Sequence, residues 1–257
     1  MKKSLCFPIF LLFSFKIMGQ TLPVLASSKA VYSVGLGIGL GYTALKNETI
    51  SPLIFTGFGA PISLTYRRES AISRQFLQLQ YQAQTIQSPF DLPIEEVGGH
   101  LIFSYLRRIK SSAKSRFFWG AELRLEGVDR QMPKSLNSAF TVSLNSLNVN
   151  GLWDFSMGKN QFESEISVAV LGYNLRSGSN LSGVFDVSFF DYLKSNARFE
   201  TLPKYLNATL RIAYFVPTNA KHFLWRVDYS GNYLGFKQRQ YFGVLRNQIS
   251  TSLTYQF

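Results

Sequence analysis

The 257-residue sequence contains one cysteine, Cys6, and two histidines, His100 and His222. A single thiol close to the N-terminus excludes a disulfide scaffold and a cysteine-ligated metal cluster. Charge is sparse, at 16% of residues, against roughly 25% in ordinary soluble domains. Long hydrophobic runs are missing too: beyond residue 20 no stretch reaches the roughly 18 apolar residues of a membrane helix, which excludes a helical membrane bundle. What remains is apolar and aromatic, 46% hydrophobic with 23 Phe, 13 Tyr and 3 Trp. A disordered chain does not have that composition.

Residues 1–20, MKKSLCFPIFLLFSFKIMGQ, place two lysines before an apolar stretch from Leu5 to Phe15 and end on small and polar residues. This is the layout of a secretory signal peptide. Residues 1–19 form that peptide if cleavage follows Gly19; the alternative follows Ala26. Residues 27–257 are then the folded domain, and Cys6 leaves with the leader. Of 27 Lys and Arg, three (Lys2, Lys3, Lys16) lie in the leader, so 24 face 15 acidic residues, a net charge of +9. The basic residues are not gathered into one recognition element, and an exported chain has no nucleic-acid partner.

The rest of the chain alternates with period two. In FLQLQYQAQ (76–84), Gln78, Gln80, Gln82 and Gln84 share one face and Leu77, Leu79, Tyr81 and Ala83 the other. Such runs predict about ten strands, near 30–43, 60–68, 74–86, 97–108, 116–128, 146–157, 161–173, 205–216, 222–234 and 243–257. Most are long enough for a tilted strand to cross a bilayer. Short connections at 69–73, 109–115, 158–160 and 217–221 alternate with longer ones at 44–59, 87–96, 129–145, 174–204 and 235–242. The pattern predicts an all-β fold: a single transmembrane antiparallel up-and-down barrel with short periplasmic turns and long extracellular loops. Within 174–204, a helix after Ser182 and a hairpin over Val184–Phe190 are both open, and the hairpin would raise the count to twelve strands.

Aromatic residues recur at the short-turn ends: Tyr66, Tyr105, Trp119, Trp153, Tyr214, Trp225, Tyr255 and Phe257, with Tyr32, Phe117, Phe155, Phe162 and Phe223 beside them. Assembled into a barrel they form a girdle at headgroup depth. The final residues ISTSLTYQF (249–257) end on Tyr255-Gln256-Phe257, alternating aromatic and polar. This strand resembles the C-terminal strand of bacterial outer-membrane β-barrel proteins. The resemblance implies outer-membrane localisation, contact with outer-membrane lipids and lipopolysaccharide, and reading of the last strand by the barrel-assembly machinery.

Alternation also assigns an interior. Glu122, Arg124, Glu126, Asp154, Glu163, Glu165, Arg211, Arg226 and Asp228 all oppose apolar neighbours, and Arg67, Arg108 and Arg246 share their parity. Charge facing lipid costs about 2–4 kcal/mol for Arg or Lys at midplane, so these residues belong in the lumen. Their pairing there predicts a plug of salt bridges. Gly35, Gly37, Gly39 and Gly41 share an inward face and are expected to leave room for long Arg and Glu side chains from opposite strands. A basic collar (Arg67, Arg68, Arg74, Arg107, Arg108, Lys110, Lys114, Arg116, Lys159, Lys221) is expected at the short-turn rim, against lipid headgroups. Asp91, Glu95, Glu96, Asp186, Asp191 and Glu200 fall in the long connections, where divalent ions bridging lipopolysaccharide would meet them.

The signs of chemistry are weak. His100 and its same-face Ser104 stand four positions apart, roughly 13 Å along a strand, too far for a nucleophile and its base. No spacing fits a metal cage, and no cofactor is expected. The function expected is structural or interaction-based, exercised through the extracellular loops or with another, unspecified envelope protein. The alternatives are a narrow channel for small polar solutes or ions, and a surface lipid or peptide hydrolase using His100.

Overall fold

Side-chain alternation carries nearly every described residue into a single antiparallel sheet. The computed structural model describes residues 30–48, 51–90, 93–112, 114–131, 139–158, 160–176, 197–201, 204–216, 222–237 and 241–257. The signal peptide, both cleavage positions, the 182–193 segment, Lys159 and Lys221 lie outside them. The strands are β1 (Val31–Asn47), β2 (Ser51–Gly59), β3 (Ile62–Glu69), β4 (Ser73–Gln87), β5 (Pro93–Ser111) and β6 (Ser115–Gln131). They continue with β7 (Ala139–Met157), β8 (Asn160–Arg176), β9 (Ala197–Glu200), β10 (Tyr205–Val216), β11 (Phe223–Lys237) and β12 (Tyr241–Gln256).

Two places in the sheet are each filled by a pair of segments. β2 and β3 hold one continuous register against β4, from Gly59↔Gln84 to Ile62↔Tyr81, and against β1, from Gly41↔Gly59 to Ile38↔Ile62. Pro61 causes the break. Its carbonyl accepts the Gly39 N–H at 2.9 Å, but it has no N–H to return the second bond of the pair. β9 and β10 likewise both run along β8, pairing Glu200 with Gly172 and Ala208 with Val168. Twelve segments, less one for each shared place, give ten places. β12 pairs with β1 and β10 with β8, so these ten close into a ring. The ten-stranded expectation holds, and the start of β1 and the end of β12 meet at the short-turn side.

The strands nearest the long connections run further than alternation suggested. β1 continues to Asn47, β5 begins at Pro93, β11 reaches Lys237 and β12 begins at Tyr241, so much of 44–59 and 235–242, and the last four residues of 87–96, are strand. The outward face turns polar there, at Lys46, Thr56 and Glu95. The inward face stays apolar, and Leu45, Phe55, Ile86, Ile94, Leu234, Phe236 and Phe242 are all buried. That inner core keeps the ladder going.

The inward glycines of β1 also differ from expectation. A Cβ on Gly35 would lie 2.6 Å from Thr254 Oγ1 and 2.7 Å from Thr65 Oγ1; one on Gly37 would lie 2.7 Å from Ser63 Oγ. Hydroxyl side chains of the two adjacent strands fill the space, with no Arg or Glu from across the barrel among these nearest atoms. Cross-strand neighbours sit within about 5.5 Å by construction, so they claim the gap before longer side chains can. At Gly39 the nearest atom is the Ile249 backbone carbonyl oxygen, at 2.7 Å, whereas Gly41 meets nothing closer than Gln82 Nε2 at 3.6 Å. Gly39→Ala is therefore expected to destabilise the barrel by about 1–3 kcal/mol, and Gly41→Ala to leave it within about 0.5 kcal/mol. The temperature at which the fast-migrating folded band is lost on a denaturing gel measures both.

Candidate functional site

The outer face defines the solvent. On β1 it presents Val34, Leu36, Ile38 and Leu40; on β6 Phe117, Trp119, Ala121, Leu123 and Leu125; on β10 Leu206, Ala208, Leu210 and Ile212. Leu36 and Leu40 are 64% and 62% exposed, and Ile249 of β12 is 62% exposed. A continuous apolar belt of this kind is far larger than a water-soluble monomer tolerates. Below it stand the short-turn aromatics, all outward: Tyr66, Tyr105, Trp119, Trp153, Tyr214, Trp225, Tyr255 and Phe257. Two arcs of ring contacts join many of them. One runs Trp153–Phe155–Phe162–Tyr214, with centroids 4.7, 5.4 and 5.2 Å apart. The other runs Phe223–Tyr255–Phe257–Tyr32, at 5.3, 6.2 and 5.9 Å.

A second outward ring lies above the belt: Tyr42 against Phe58 at 5.3 Å, Tyr81, Tyr229 and Tyr233. Tyr32 and Tyr42 are ten residues apart on β1, about 33 Å at about 3.3 Å per residue. With a tilt of about 40° the two rings stand about 25 Å apart, the height of an outer-membrane apolar band. This is an outer-membrane β-barrel. The upper ring went unread in the sequence because its members are scattered: Tyr81 and Tyr229 fall mid-strand, Phe58 in a segment assigned to a connection, and Tyr42 and Tyr233 at the long-connection ends of their strands.

Inside, the sequence-derived charges gather at three heights. Nearest the short turns, Arg74 of β4 reaches Glu163 of β8 at 2.7 Å and Asp154 of β7 at 3.1 Å, and Glu69 at 3.0 Å. Arg67 reaches Glu69 at 3.0 Å and also pairs with Glu163. Arg116 bonds Asp154 and, at 2.5 Å, Glu69. Three arginines thus meet three carboxylates, and the contacts from β4 to β8 strut the barrel across its width. Leu106, Phe118 and Leu152 pack beside them, the Arg74 guanidinium 4.6 Å from the Phe118 ring centre.

At mid-height, Glu122 accepts from Asn148 Nδ2 and Ser167 Oγ, both at 2.9 Å, and lies 3.3 Å from Arg124. Arg211 pairs with Glu165 at 3.2 Å and Arg226 with Asp228 at 2.5 Å, while Gln80 donates to Gln248 across the lumen at 2.9 Å. Higher still, Arg246 meets Glu126 at 2.5 Å and Arg130 meets Glu96 at 2.6 Å.

Above these pairs lies an apolar layer: Leu45, Phe55, Ile86, Ile94, Leu144, Ala169, Tyr205, Leu234, Phe236, Phe242 and Val244, every one buried. β6 completes it with the fully buried Arg130, whose guanidinium stands 5.8 Å from the Phe242 ring centre. All ten places of the ring contribute a side chain at this level.

Several expectations change accordingly. Arg74 and Arg116 turn inward to carboxylates and leave the rim collar, because their parity is that of Phe76 and Phe118; Arg67 leaves it too, following the inward parity already read for it. Glu96 belongs to the lumen, since β5 begins three residues before it; Glu95 beside it is exposed. Glu69, Arg74, Arg116, Arg130 and Glu96 were not read as lumen pairs. The signal was available for Arg130 and Glu96, whose alternation simply continues that of Glu126 and Gly98. His100 faces the lumen between Gln80 of β4 and Glu126 of β6. It lines a cavity of about 110 Å3 together with Gln78, Gln82, Arg124, Arg211, Arg246, Gln248 and Ser250. No His100 hydrogen bond to a serine hydroxyl occurs among the described residues, and those residues hold no group of three or more potential metal ligands.

No protein-family model matches the chain, and no curated protein matches it in sequence. Among solved structures it is similar to the outer membrane protease OmpT from Escherichia coli, at 8% identity, covering 93% of this chain and 99% of that one with a TM-score of 0.48. It is also similar to the translocator domain of the autotransporter NalP from Neisseria meningitidis, at 10% identity, 98% and 96% coverage and a TM-score of 0.45. Neisserial surface protein A matches at 12% identity, 90% and 100% coverage and a TM-score of 0.35.

Glu163 is the hub of the lower cluster, serving Arg67 and Arg74 at once. Glu163→Gln removes one of three carboxylates that neutralise three arginines, among them the buried Arg74, and is expected to cost about 3–5 kcal/mol. Lys110→Gln on the exposed rim is expected to stay within about 0.5 kcal/mol. The urea midpoints of the two variants, followed by tryptophan fluorescence in lipid vesicles, check this difference.

Proposed function

We propose that the barrel is closed: a non-conducting, non-catalytic outer-membrane protein that acts as a structural or interaction protein of the envelope through its loop-side surface. The observation that carries this is the layer to which all ten ring places contribute, nine with apolar side chains and β6 with the buried Arg130. An ion crossing it would shed its hydration shell among apolar side chains, where the one charged group, Arg130, is already engaged by Glu96. Of the lumen charges below the layer, Glu126, Asp154 and Glu163 serve here as struts between distant strands, through Arg246 and Arg74, while Glu122 with Arg124, Glu165 with Arg211 and Arg226 with Asp228 neutralise each other within a strand or between neighbours. The outward aromatics anchor the protein at the two headgroup levels, against outer-membrane lipid and lipopolysaccharide. β12, ending on Tyr255 and Phe257, is the strand offered to the assembly machinery, and the partner at the loop side is another envelope protein.

A narrow channel is the second reading. The polar cavity of about 110 Å3 beneath the layer favours it, because only the layer separates that cavity from the loop side. Single-channel recording of the refolded protein in planar bilayers decides between them. The wild type is expected to be silent and Phe236→Ala/Phe242→Ala to show discrete conducting events. Steady ion-selective conductance of the wild type would overturn the closed barrel.

A further inference from the structure

Below the charged struts, the short-turn mouth holds a cavity of about 490 Å3 that the closed barrel does not require. Its volume lies within the roughly 300–1,000 Å3 of small-molecule sites. Four guanidinium groups line it, Arg67, Arg108, Arg116 and Arg226, against one carboxylate, Glu69. Three of the four are compensated: Arg67 and Arg116 within the lower cluster and Arg226 by Asp228. Arg108 forms no ion pair among the described residues. It also stands at a β-bulge, since the β5–β6 register shifts between Arg108 and Lys110. Bulges of this kind re-aim side chains. Here Arg108 keeps the inward parity and lines the cavity, while Ile109 and Lys110 are both exposed.

The opposite character comes from Phe76, Phe215 and Leu224, which give the same cavity an apolar wall. One uncompensated cation beside an apolar and aromatic surface selects a specific chemistry. A monoanion is favoured over a dianion, because a second charge would find only guanidinium groups already engaged. An apolar body is favoured over a bare inorganic ion, because the wall otherwise stays wet. We infer that the short-turn mouth is a binding site for a small soluble organic monoanion with an apolar body, an aryl carboxylate being the simplest form, held by Arg108. Arg67, Arg108, Phe76, Phe215 and Leu224 all carry the inward parity of their strands, so the ligand enters from the aqueous periplasmic side and is not a headgroup of the surrounding bilayer. The site lies beneath the apolar layer and stands whether or not that layer conducts.

The test uses the full mature chain in phosphatidylcholine nanodiscs, with 4-fluorobenzoate as probe and its neutral isostere 4-fluorobenzamide, both followed by fluorine NMR. Saturable binding of the benzoate to the wild type is expected, with the benzamide at least tenfold weaker. Arg108→Gln is expected to weaken benzoate binding by about tenfold or more, as loss of a charge-assisted contact does, and Lys110→Gln to leave it unchanged. Equal binding of benzoate and benzamide by the wild type would overturn the site, a comparison that needs no variant to fold. Equal losses in Arg108→Gln and Lys110→Gln would overturn it as well, by showing general attraction to a basic rim.

Discussion

In hydrocarbon no water is available to a backbone N–H or C=O, so a sheet that crosses a membrane must leave no edge. Here that requirement is met between the first and last strands. The ladder runs from Ser33↔Gln256 to Asn47↔Phe242. Tyr32 and Phe257 extend it at the chain end: the Tyr32 N–H donates to the Phe257 carbonyl at 3.1 Å and the Phe257 N–H to the Tyr32 carbonyl at 3.0 Å. The stacked rings of the same two residues lie at the depth of the lower girdle. Once the ring is shut, each residue has only two places to point, into lipid or into the lumen. The sparse charge of the chain and the strict alternation of its strands both follow from that choice.

The interior must then solve a problem the exterior does not have. Ten strands enclose more space than the eight whose side chains just fill a barrel, and burying an ion pair in a dry interior costs more than its attraction returns unless the geometry is good. The chain separates the two tasks by height. Carboxylates and guanidinium groups occupy the lower and middle levels, where Glu69, Asp154 and Glu163 each serve more than one arginine. Apolar side chains occupy the top. Arg130 stands at the boundary, with Glu96 on one side and the Phe242 ring on the other.

Much of this was legible in the sequence, because a strand's parity is as plain in the letters as in the fold. The ten places, the inward Gln78–Gln84 face, the outward girdle from Tyr66 to Phe257 and the inward parity of Glu122 and Arg226 all follow from period two. Three-dimensional contacts were not legible. Arg74 meets Glu163 because β4 and β8 face each other at a particular stagger, and nothing in either segment encodes that stagger. The limits of the strands were misjudged for a related reason. Sequence reading stops a membrane strand where its outer face becomes polar, yet a barrel wall can continue above the membrane if its inner face has something to bury. Leu45, Phe55, Phe236 and Phe242 are that something. The glycines of β1 mark the same boundary of inference: their inward direction was plain, but what filled the space beside them depended on the hydroxyls of β3 and β12.

The two ends of the lumen therefore differ in kind. At the loop end, side chains from all ten places meet without charge except for one paired arginine, and the wall is tied together by packing. At the short-turn end the six-membered cluster of Arg67, Arg74, Arg116, Glu69, Asp154 and Glu163 is neutral as a unit, so it contributes little field of its own beyond its immediate neighbours. An uncompensated charge next to a neutral, rigidly held cluster stands out far more than it would in a collar of ten basic residues. Turning Arg67, Arg74 and Arg116 inward thus does two things at once. It braces the barrel across its width, and it clears the mouth of competing charge so that Arg108, which keeps the inward parity of Leu106 up to the bulge at Ile109, sets the electrostatic character of that end.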